Sequence, residues 1–523
     1  MTVSELFTDE LMARIGAAEG AGNMGLPVTA LEYDSRKARA GALYFALPGL
    51  HVDGHDFIAG AIKNGAGAIV YQNDIPAYSK DVFYLRVKDT RFAMSAVADA
   101  FYGSPSKHLT VAGVTGTEGK STTVYLIFQL LRLAGKKAGF ISTVQYSVDG
   151  TERWNTEHQT TPEAVLIHRR LAEMLKNGCE YAALEASSHG LSPRTNRLGD
   201  VVFDAGLMTN VTHEHLEFHG TWEQYRDDKA NLFRSLDKPV SKGEKRGVDS
   251  FGVLNADDPS AGYFADCTKR KTYSYSVNGG AADISITGLT SYSYGNVYDV
   301  KIRSGGKTIH IEDRLPGAFN AGNVLAALLC VSNLIHVPVE ELYSLVPMLK
   351  PVRGRMTAVD KGQPFEVLVD YAHTPSSFET IFPPIRERAA RQGGRVISLF
   401  GSAGERDVKK RPLQGRIAAR YSDMIFLCDE DPRGENPSAI LEEIAEGVFS
   451  VPPTECFSGN GFELDVNLFL IPERPAAIRA AFSHARAGDI VLLLGKGHEN
   501  SIIYSNYTMK YDEISEAENA LSE

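Results

Sequence analysis

One stretch constrains this chain more than any other: His108–Tyr125, HLTVAGVTGTEGKSTTVY. An apolar, β-branched run ends in a Gly/Thr turn, and Gly-Lys-Ser-Thr then opens a helical pattern. From here on, strands and helices alternate, which requires a mainly parallel sheet with helices on both faces. Backbone N–H groups at a helix start, together with one lysine, can wrap an anion. The glycines fall at Gly113, Gly116 and Gly119, and Val114 stands where the ordinary Walker A pattern has its first glycine. The spacing G-x-x-G-T-x-G-K-[S/T] is therefore narrower than a generic phosphate loop. In this reading Lys120 contacts the β/γ-phosphates of a nucleoside triphosphate, and the Ser121 or Thr122 hydroxyl binds Mg²⁺. Glu118 is an odd residue inside such a loop; it either approaches a metal or, the preferred reading, points to solvent.

At 523 residues the chain is too long for one core, and two to four domains are expected. The net charge of −11 argues against a nucleic-acid or membrane-surface protein, so an anionic substrate must be met by local basic residues. The start, MTVSELFTDELMARIG, carries acids and no long apolar core, so no signal peptide is expected. No apolar run approaches the ~18 residues of a membrane span. The five cysteines are scattered, form no metal pair and fit a reduced cytoplasm, the expected location.

Residues 1–107 mix short strands and helices around a turn-rich patch, Tyr33-Asp-Ser-Arg36. Candidate strands of the parallel part are Thr110–Val114, Tyr181–Leu184, Ala205–Met208, Val367–Val369, Val396–Phe400, Met424–Leu427 and Ile490–Leu494. Each ends in polar or glycine-rich residues, and ligands of such sheets bind at the carboxyl ends of strands. Residues 238–250 read as an exposed loop, 271–311 as antiparallel decoration, 316–329 as a turn feeding a buried helix, and Lys350–Arg355 as a linker. Boundaries are placed near 107 and 350, giving domains 1–107, 108–350 and 351–523: a small N-terminal α/β domain, a central P-loop ATPase-like parallel sheet domain, and a second α/β domain.

Several strand ends carry chemistry. Glu185 is either a hard-metal ligand or a helix-capping acid. His213, His215 and His219 invite zinc, but spacings of two and four without a cysteine partner do not suit it. One histidine completing a Mg²⁺ shell, with the others structural, is preferred. Lys229 lies in a helical pattern, TWEQYRDDKANLF, and on residues alone is a solvated face residue. Asp370 and His373, then Arg406 and Asp407 with Lys409, Lys410 and Arg411, then Glu430 to Glu435, and then Gly495 to Glu499 follow four strands. Four such loops in one domain suggest a composite pocket for a small polar ligand.

Taken in order, GVTGTEGKSTT, EASSHGL, TNVTHEHLEFHGT, DYAHTP, FGSAGERDVKKRP and GKGHE resemble the Mur ligases of peptidoglycan synthesis, from Asp34-Ser-Arg36 to Glu499. The resemblance implies a nucleotide-substrate domain, an ATPase domain and a C-terminal Rossmann-like domain. It also implies a monomer that uses ATP and Mg²⁺ to extend UDP-N-acetylmuramoyl-L-alanyl-D-glutamate by a diamino acid through an acyl phosphate. Ser35 then resembles a UDP contact, and Gly116, Thr117, Glu118, Gly119, Lys120, Ser121 and Thr122 hold ATP phosphates. Gln159, Thr160, Thr161 and Ser187 match sugar-peptide contacts. Ser121, Glu185 and His215 match Mg²⁺ ligands, and Lys229 matches a carbamylated lysine that helps hold a second Mg²⁺. Asn320 and Asn323 match the adenine side, and Arg355 and Asp370 match ATP contacts. Arg406, Glu430, Asp431, Pro432, Arg433, Gly495 and Glu499 match the incoming amino-acid pocket.

Three departures from the family pattern matter. Asparagine usually stands where Glu118 is. The spacing after Ser187 is stretched, so Arg194 and Arg197 compete for one substrate contact. The usual Asp-Asn-Pro-Arg is here Glu430-Asp431-Pro432-Arg433. Arg433 can pair with the distal carboxylate of meso-diaminopimelate. An acidic local field instead suits the distal ammonium of lysine or ornithine, with Arg433 neutralised by a neighbouring acid. The expectation is meso-diaminopimelate, with lysine or ornithine as the alternative. A folylpolyglutamate-synthase-type ligase, a P-loop kinase and a non-catalytic regulator are the other readings.

Overall fold

The computed structural model describes residues 1–17, 20–49, 52–155, 159–212, 216–238, 249–292, 294–457 and 459–523. The predicted loop 238–250 falls mostly outside them, as do His213 and His215. Two compact units divide the chain: Met1–Ser274 with Leu329–Val337, and Tyr275–Leu328 with Pro338–Glu523.

The first unit opens with a parallel sheet of β1 (Ala30–Glu32), β2 (Ala42–Phe45), β3 (Ala66–Tyr71) and β4 (Phe83–Arg86), in that spatial order. Its crossovers are short helices such as Ile58–Lys63. The helix Thr90–Phe101 follows, with Asp89 as its N-cap accepting from the Arg91 and Phe92 amides. Ala93, Met94 and Val97 of this helix join Leu43, Phe45, Val70 and Leu85 in one core.

The second sheet of this unit contains β5 (Thr110–Thr115), β6 (Ala138–Ile141), β7 (Gln145–Ser147), β8 (Arg153–Trp154), β9 (Tyr181–Glu185), β10 (Ala205–Met208) and β11 (Phe251–Asn255), in the order β11-β10-β5-β9-β6-β7-β8. It holds β5 between β10 and β9. The strands from β11 to β6 are parallel, while β7 pairs antiparallel with β6 and β8 antiparallel with β7. The carboxyl ends of β5, β9, β6 and β10 therefore share one edge, where a ligand has a crevice to enter. The helices Lys120–Leu133, Ala164–Lys176 and Trp222–Ser235 belong to the same unit.

In the second unit, β12 (Lys271–Ser276) pairs through Tyr275 and Ser276 with β13 (Ile284–Tyr292), in parallel. β13, β14 (Gly295–Ile302) and β15 (Thr308–Glu312) form antiparallel decoration within the expected segment 271–311. A further sheet has the order β16-β17-β21-β18-β19-β20, from β16 (Thr357–Ala358), β17 (Glu366–Asp370), β18 (Val396–Phe400), β19 (Met424–Leu427), β20 (Leu468–Leu470) and β21 (Ile490–Leu494). All but β16 are parallel. One face is covered by the helices Pro375–Arg391, Lys410–Tyr421 and Pro437–Phe449, the other by Arg474–His484 and Glu513–Ser522. Covering both faces explains the unbroken apolar run of β21, IVLLL, in which every residue is fully buried. Each such side chain contributes about 1.5–3 kcal/mol by leaving water.

Every candidate strand of the parallel part is found as a strand, and the chain folds as α/β with a separate sheet in each of three regions. Among the described residues no single helix is long and apolar enough to cross a membrane. The bent pair Phe319–Ile335 and Val339–Met348, broken by 111°, meets the length and composition test together. The apolar side chains of Phe319–Ile335 from Ala321 to Leu334 are nevertheless buried inside the protein.

Candidate active site

The phosphate-type loop connects β5 to the helix Lys120–Leu133. Gly119 caps that helix with φ +81°, and Gly116 has φ +151°. Neighbouring strand ends hold the loop open. The Asn210 carboxamide oxygen accepts from the Thr117 and Glu118 amides at 3.2 and 2.8 Å, and the Thr209 hydroxyl donates to the Glu118 carbonyl at 2.6 Å. The Thr117 hydroxyl lies 3.1 Å from that of Tyr225. Glu118 is half-buried. The Lys120 ammonium donates to the Thr117 carbonyl at 2.6 Å.

A Cβ on Gly116 would fall 1.9 Å from the Thr209 hydroxyl oxygen, with Asn210 backbone atoms at 3.2 Å. Gly116→Ala is therefore expected to cost about 1–3 kcal/mol of stability and to disorganise the loop. Thermal denaturation beside nucleotide turnover checks this. A variant with wild-type Tm and turnover would mean that Thr209 yields freely.

Glu185, at the end of β9, is 3% exposed and links loop to strand ends. One of its carboxylate oxygens accepts from the Ser121 hydroxyl at 2.9 Å and from the Thr143 amide and hydroxyl at 2.8 and 2.9 Å. Its carbonyl accepts from the Thr161 hydroxyl at 2.9 Å, which in turn accepts from the Ser187 amide at 3.0 Å. It caps no helix; Ser187 caps Ser188–Leu191 instead. Of the sugar-peptide candidates, Thr161 is buried, Thr160 half-buried and Gln159 exposed. Ser35 sits in a single turn of 3₁₀ helix capped by Asp34.

The solvated reading of Lys229 is wrong. Lys229 is 1% exposed, donates to the Gly116 carbonyl at 2.6 Å and lies 4.3 Å from the Tyr225 ring centroid. Its helix lies close to β5: a Cβ on Gly113 would meet Leu232 at 2.7 Å. His219 is structural, bound to Asp228 at 2.7 Å and Ser188 at 3.0 Å. Arg197 pairs with Glu163 at 2.9 Å and donates to the Thr161 carbonyl. Arg194 is exposed and stacks on Phe218 at 4.4 Å. Among the described residues no three His, Cys, Asp or Glu side chains gather as a metal site. Ser121 and Glu185 are nonetheless hard oxygen donors of the kind Mg²⁺ takes.

In the second unit, Asn320 is buried and donates to the Pro316 carbonyl, and Asn323 donates to Asn320 at 2.9 Å. Asp370 accepts from the Met356 and Ala372 amides, both at 2.7 Å, and burial raises its pKa although Arg355 opposes. Arg355 stacks on Tyr371 at 4.7 Å. Burial, with Arg355 adding to it, pushes the His498 imidazole down to about 3.

The acidic segment after β19 does not present its formal charge. Asp431 accepts from the Lys496 ammonium and the Ile503 amide, each at 2.9 Å. Lys496 also donates to Glu499 at 2.5 Å. Glu435 is held by Arg411 at 2.9 Å. Burial lifts Glu430 to about 7, against the pull of Lys410 and Lys496, and lifts Asp429 to about 6. Gly495, φ +100°, lets the chain approach to where a Cβ would sit 3.2 Å from Glu430. Arg433 makes no ion pair among the described residues, so its neutralisation by a neighbouring acid is not what the fold builds. Its Nε is buried without a partner, and it lines a cavity of about 270 Å³ with Glu405, Gly434 and Tyr504. Arg406 is exposed. Sequence reasoning placed Gly495 to Glu499 in the pocket without singling out Lys496, and missed Thr143; each lies two residues past a strand end, the one signal that could have found them.

The raised Glu430 has a consequence for stability. The folded state holds this proton between the ordinary 4.5 and about 7, where the unfolded chain has lost it. Stability therefore falls as pH rises through that window, and the cost is complete above it. Glu430→Gln is expected to raise Tm at about pH 8, with the gain shrinking toward about pH 5. Melting curves at the two pH values check this, and an equal gain at both would contradict it.

Comparison with known proteins agrees with this architecture. The Mur ligase family catalytic domain matches residues 27–102, the Mur ligase middle domain 114–331, and the Mur ligase glutamate ligase domain 354–497. The chain is 51% identical to the UDP-N-acetylmuramyl-tripeptide synthetase of Treponema denticola, over 96% of this chain and 95% of that one. It is 47% identical to that of Treponema pallidum, over 93% and 92%. A solved UDP-N-acetylmuramoyl-L-alanyl-D-glutamate–2,6-diaminopimelate ligase superposes with a TM-score of 0.62 at 26% identity, covering 100% of this chain and 99% of that one. The chain belongs to the Mur ligase family and is an ATP-dependent ligase.

Proposed function

We propose that this chain is a tripeptide synthetase of the family, joining the terminal D-glutamate carboxylate of UDP-N-acetylmuramoyl-L-alanyl-D-glutamate to the amine of a diamino acid, in the cytoplasm. The observation that carries the reading is the meeting of the Gly116–Lys120 loop, Ser121, Glu185 and Lys229 at one strand edge, in a chain that aligns almost end to end with synthetases of that name. That full-length match includes the N-terminal domain, which a folylpolyglutamate-type ligase lacks. Domains 1–107, 108–350 and 351–523 are assigned to UDP-substrate, ATP and amino acid respectively.

A carboxylate cannot be amidated in water without activation. The loop amides and Lys120 orient the γ-phosphate for attack by the substrate carboxylate, which expels ADP; the amine then attacks the acyl carbon of the acyl phosphate, inorganic phosphate leaves and the nitrogen loses a proton as the amide forms. Ser121 and Glu185, with His215, are the residues that would hold Mg²⁺, which when bound shields the charge between phosphates and carboxylate. Thr161 is tied to the Glu185 carbonyl and Ser187 to the Thr161 hydroxyl, which favours sugar-peptide contacts at the same strand end. Exposed Arg194, rather than Arg197 with its Glu163 partner, is assigned the second substrate contact. Asn320, Asn323, Arg355 and Asp370 are assigned to ATP.

The unpaired Arg433 favours meso-diaminopimelate, whose distal carboxylate fits a guanidinium fork. Lysine or ornithine is the second reading, favoured by the buried, unpartnered Oε2 of Glu430. Phosphate release with ATP, Mg²⁺ and the UDP-dipeptide, against a panel of the three amino acids, decides. Turnover with at least one, and hydroxamate trapping of the acyl phosphate, is expected; no turnover with any sinks the reading.

Lys229, buried against the Gly116 carbonyl, is assigned as a carbamate in the working enzyme. Enzyme equilibrated with ¹³C-bicarbonate should show a carbamate carbon signal that Lys229→Gln lacks. The same spectrum from both proteins would refute the modification.

A further inference from the structure

We infer that Lys496 sets the charge preference of the amino-acid pocket, by cancelling two of its carboxylates at once. The inference rests on the assignment of this pocket to the incoming amino acid. Lys496 follows β21 and is fully buried, and its ammonium donates to Asp431 at 2.9 Å and to Glu499 at 2.5 Å. Both acids belong to the proposed pocket, and Asp431 lies two residues before Arg433. Of the other nearby acids, Glu435 is held by Arg411, Asp429 accepts from the Tyr504 hydroxyl at 3.0 Å and Glu430 is buried, while the exposed Glu405 lines the cavity and is the same in every variant compared below. Counted by formal charge, the segment repels a substrate carboxylate. With Lys496 in place, Asp431 and Glu499 offer oriented acceptors and little net field, and Arg433 and Glu405 are left as the charges lining the cavity.

Lys496 touches neither ATP nor the reacting carboxylate in this account; it is a positioning residue. Removing it would leave two uncompensated carboxylates beside Arg433. A distal carboxylate would then be disfavoured and a distal ammonium favoured. Asp431→Asn does the reverse, because Lys496 then faces Glu499 alone. A single charge at such distances changes binding by about tenfold or more.

The test compares wild type, Lys496→Met, Asp431→Asn and the double variant. For each, meso-diaminopimelate, lysine and ornithine are ranked by kcat/KM where they turn over and by competitive inhibition constant where they do not. Lys496→Met should shift the ratio toward lysine and ornithine by about tenfold or more, Asp431→Asn toward diaminopimelate, and the double variant should return near wild type. Equal scaling of all three amino acids in both single variants would overturn the inference and reduce Lys496 to a structural ion pair. If Lys496→Met does not fold, the Asp431→Asn ratio alone decides, with an unmoved ratio counting against. A wild-type chain that binds none of the three overturns the pocket assignment, and this inference with it.

Discussion

Lys120→Ala is expected to lower turnover by about a thousandfold or more while leaving the fold intact. The two halves of that expectation come from different contacts. The ammonium donates a hydrogen bond to the Thr117 carbonyl in its own loop, and losing such a bond costs only about 0.5–1.5 kcal/mol. The loop itself is held from outside, by Asn210, Thr209 and Tyr225. Its shape therefore survives without the lysine. What disappears is the loop's own cation, the group proposed to meet negative charge on the transferring phosphate. ADP release and a melting curve on the same preparation test both halves. Undiminished ADP release would remove the phosphate role from this loop, and a collapsed Tm would make Lys120 structural.

Much of this loop could be read before any coordinates, because it is local. Strand, glycines, lysine and helix follow one another within His108–Tyr125, and each residue's conformation is set by near neighbours. The parallel strands were legible for a related reason: strands buried on both faces read as apolar runs, as Val396–Phe400 and Ile490–Leu494 do. Lys229 was not legible from residues alone. Its helix, TWEQYRDDKANLF, is polar enough to pass for a solvated one, and the carbonyl that receives its ammonium belongs to Gly116, far earlier in the chain. Only the resemblance to a family pointed to it. Asn210 is similar: its carboxamide shapes a loop that lies on another strand.

Charge was the least legible property. Glu430, Asp431 and Glu435 in one short segment suggest an acidic pocket, but formal charge counts neither burial nor partners. Two of the three have cations from elsewhere in the fold, Lys496 and Arg411, and the third is pushed toward its neutral form by burial. The pairing of Asp431 with Lys496 bridges β19's loop and β21's loop, a contact that follows from the strand order β21-β18-β19 and from no local pattern.

The same pairing makes the outcome for Arg433 specific. Arg433→Ala is expected to raise the KM for meso-diaminopimelate by about a hundredfold, with the KM values for ATP and the UDP-dipeptide unchanged. A guanidinium whose Nε is buried without a partner is costly to maintain, and binding a carboxylate there removes that cost as it forms charge-assisted bonds. Lysine and ornithine carry no distal carboxylate, so their constants should move far less. Arg433→Lys keeps the charge but loses the planar fork, and should sit between the two, about tenfold down. Because Arg433 adopts φ +55° and donates its amide to the Ile503 carbonyl, both variants keep that backbone bond and both carry the same conformational burden. The difference between the two variants therefore reports the positive charge and its stem, and the difference between Arg433→Lys and wild type reports the planar fork. If the KM for diaminopimelate is the same in all three proteins, the distal carboxylate binds elsewhere, and the exposed Arg406 is the next residue to test.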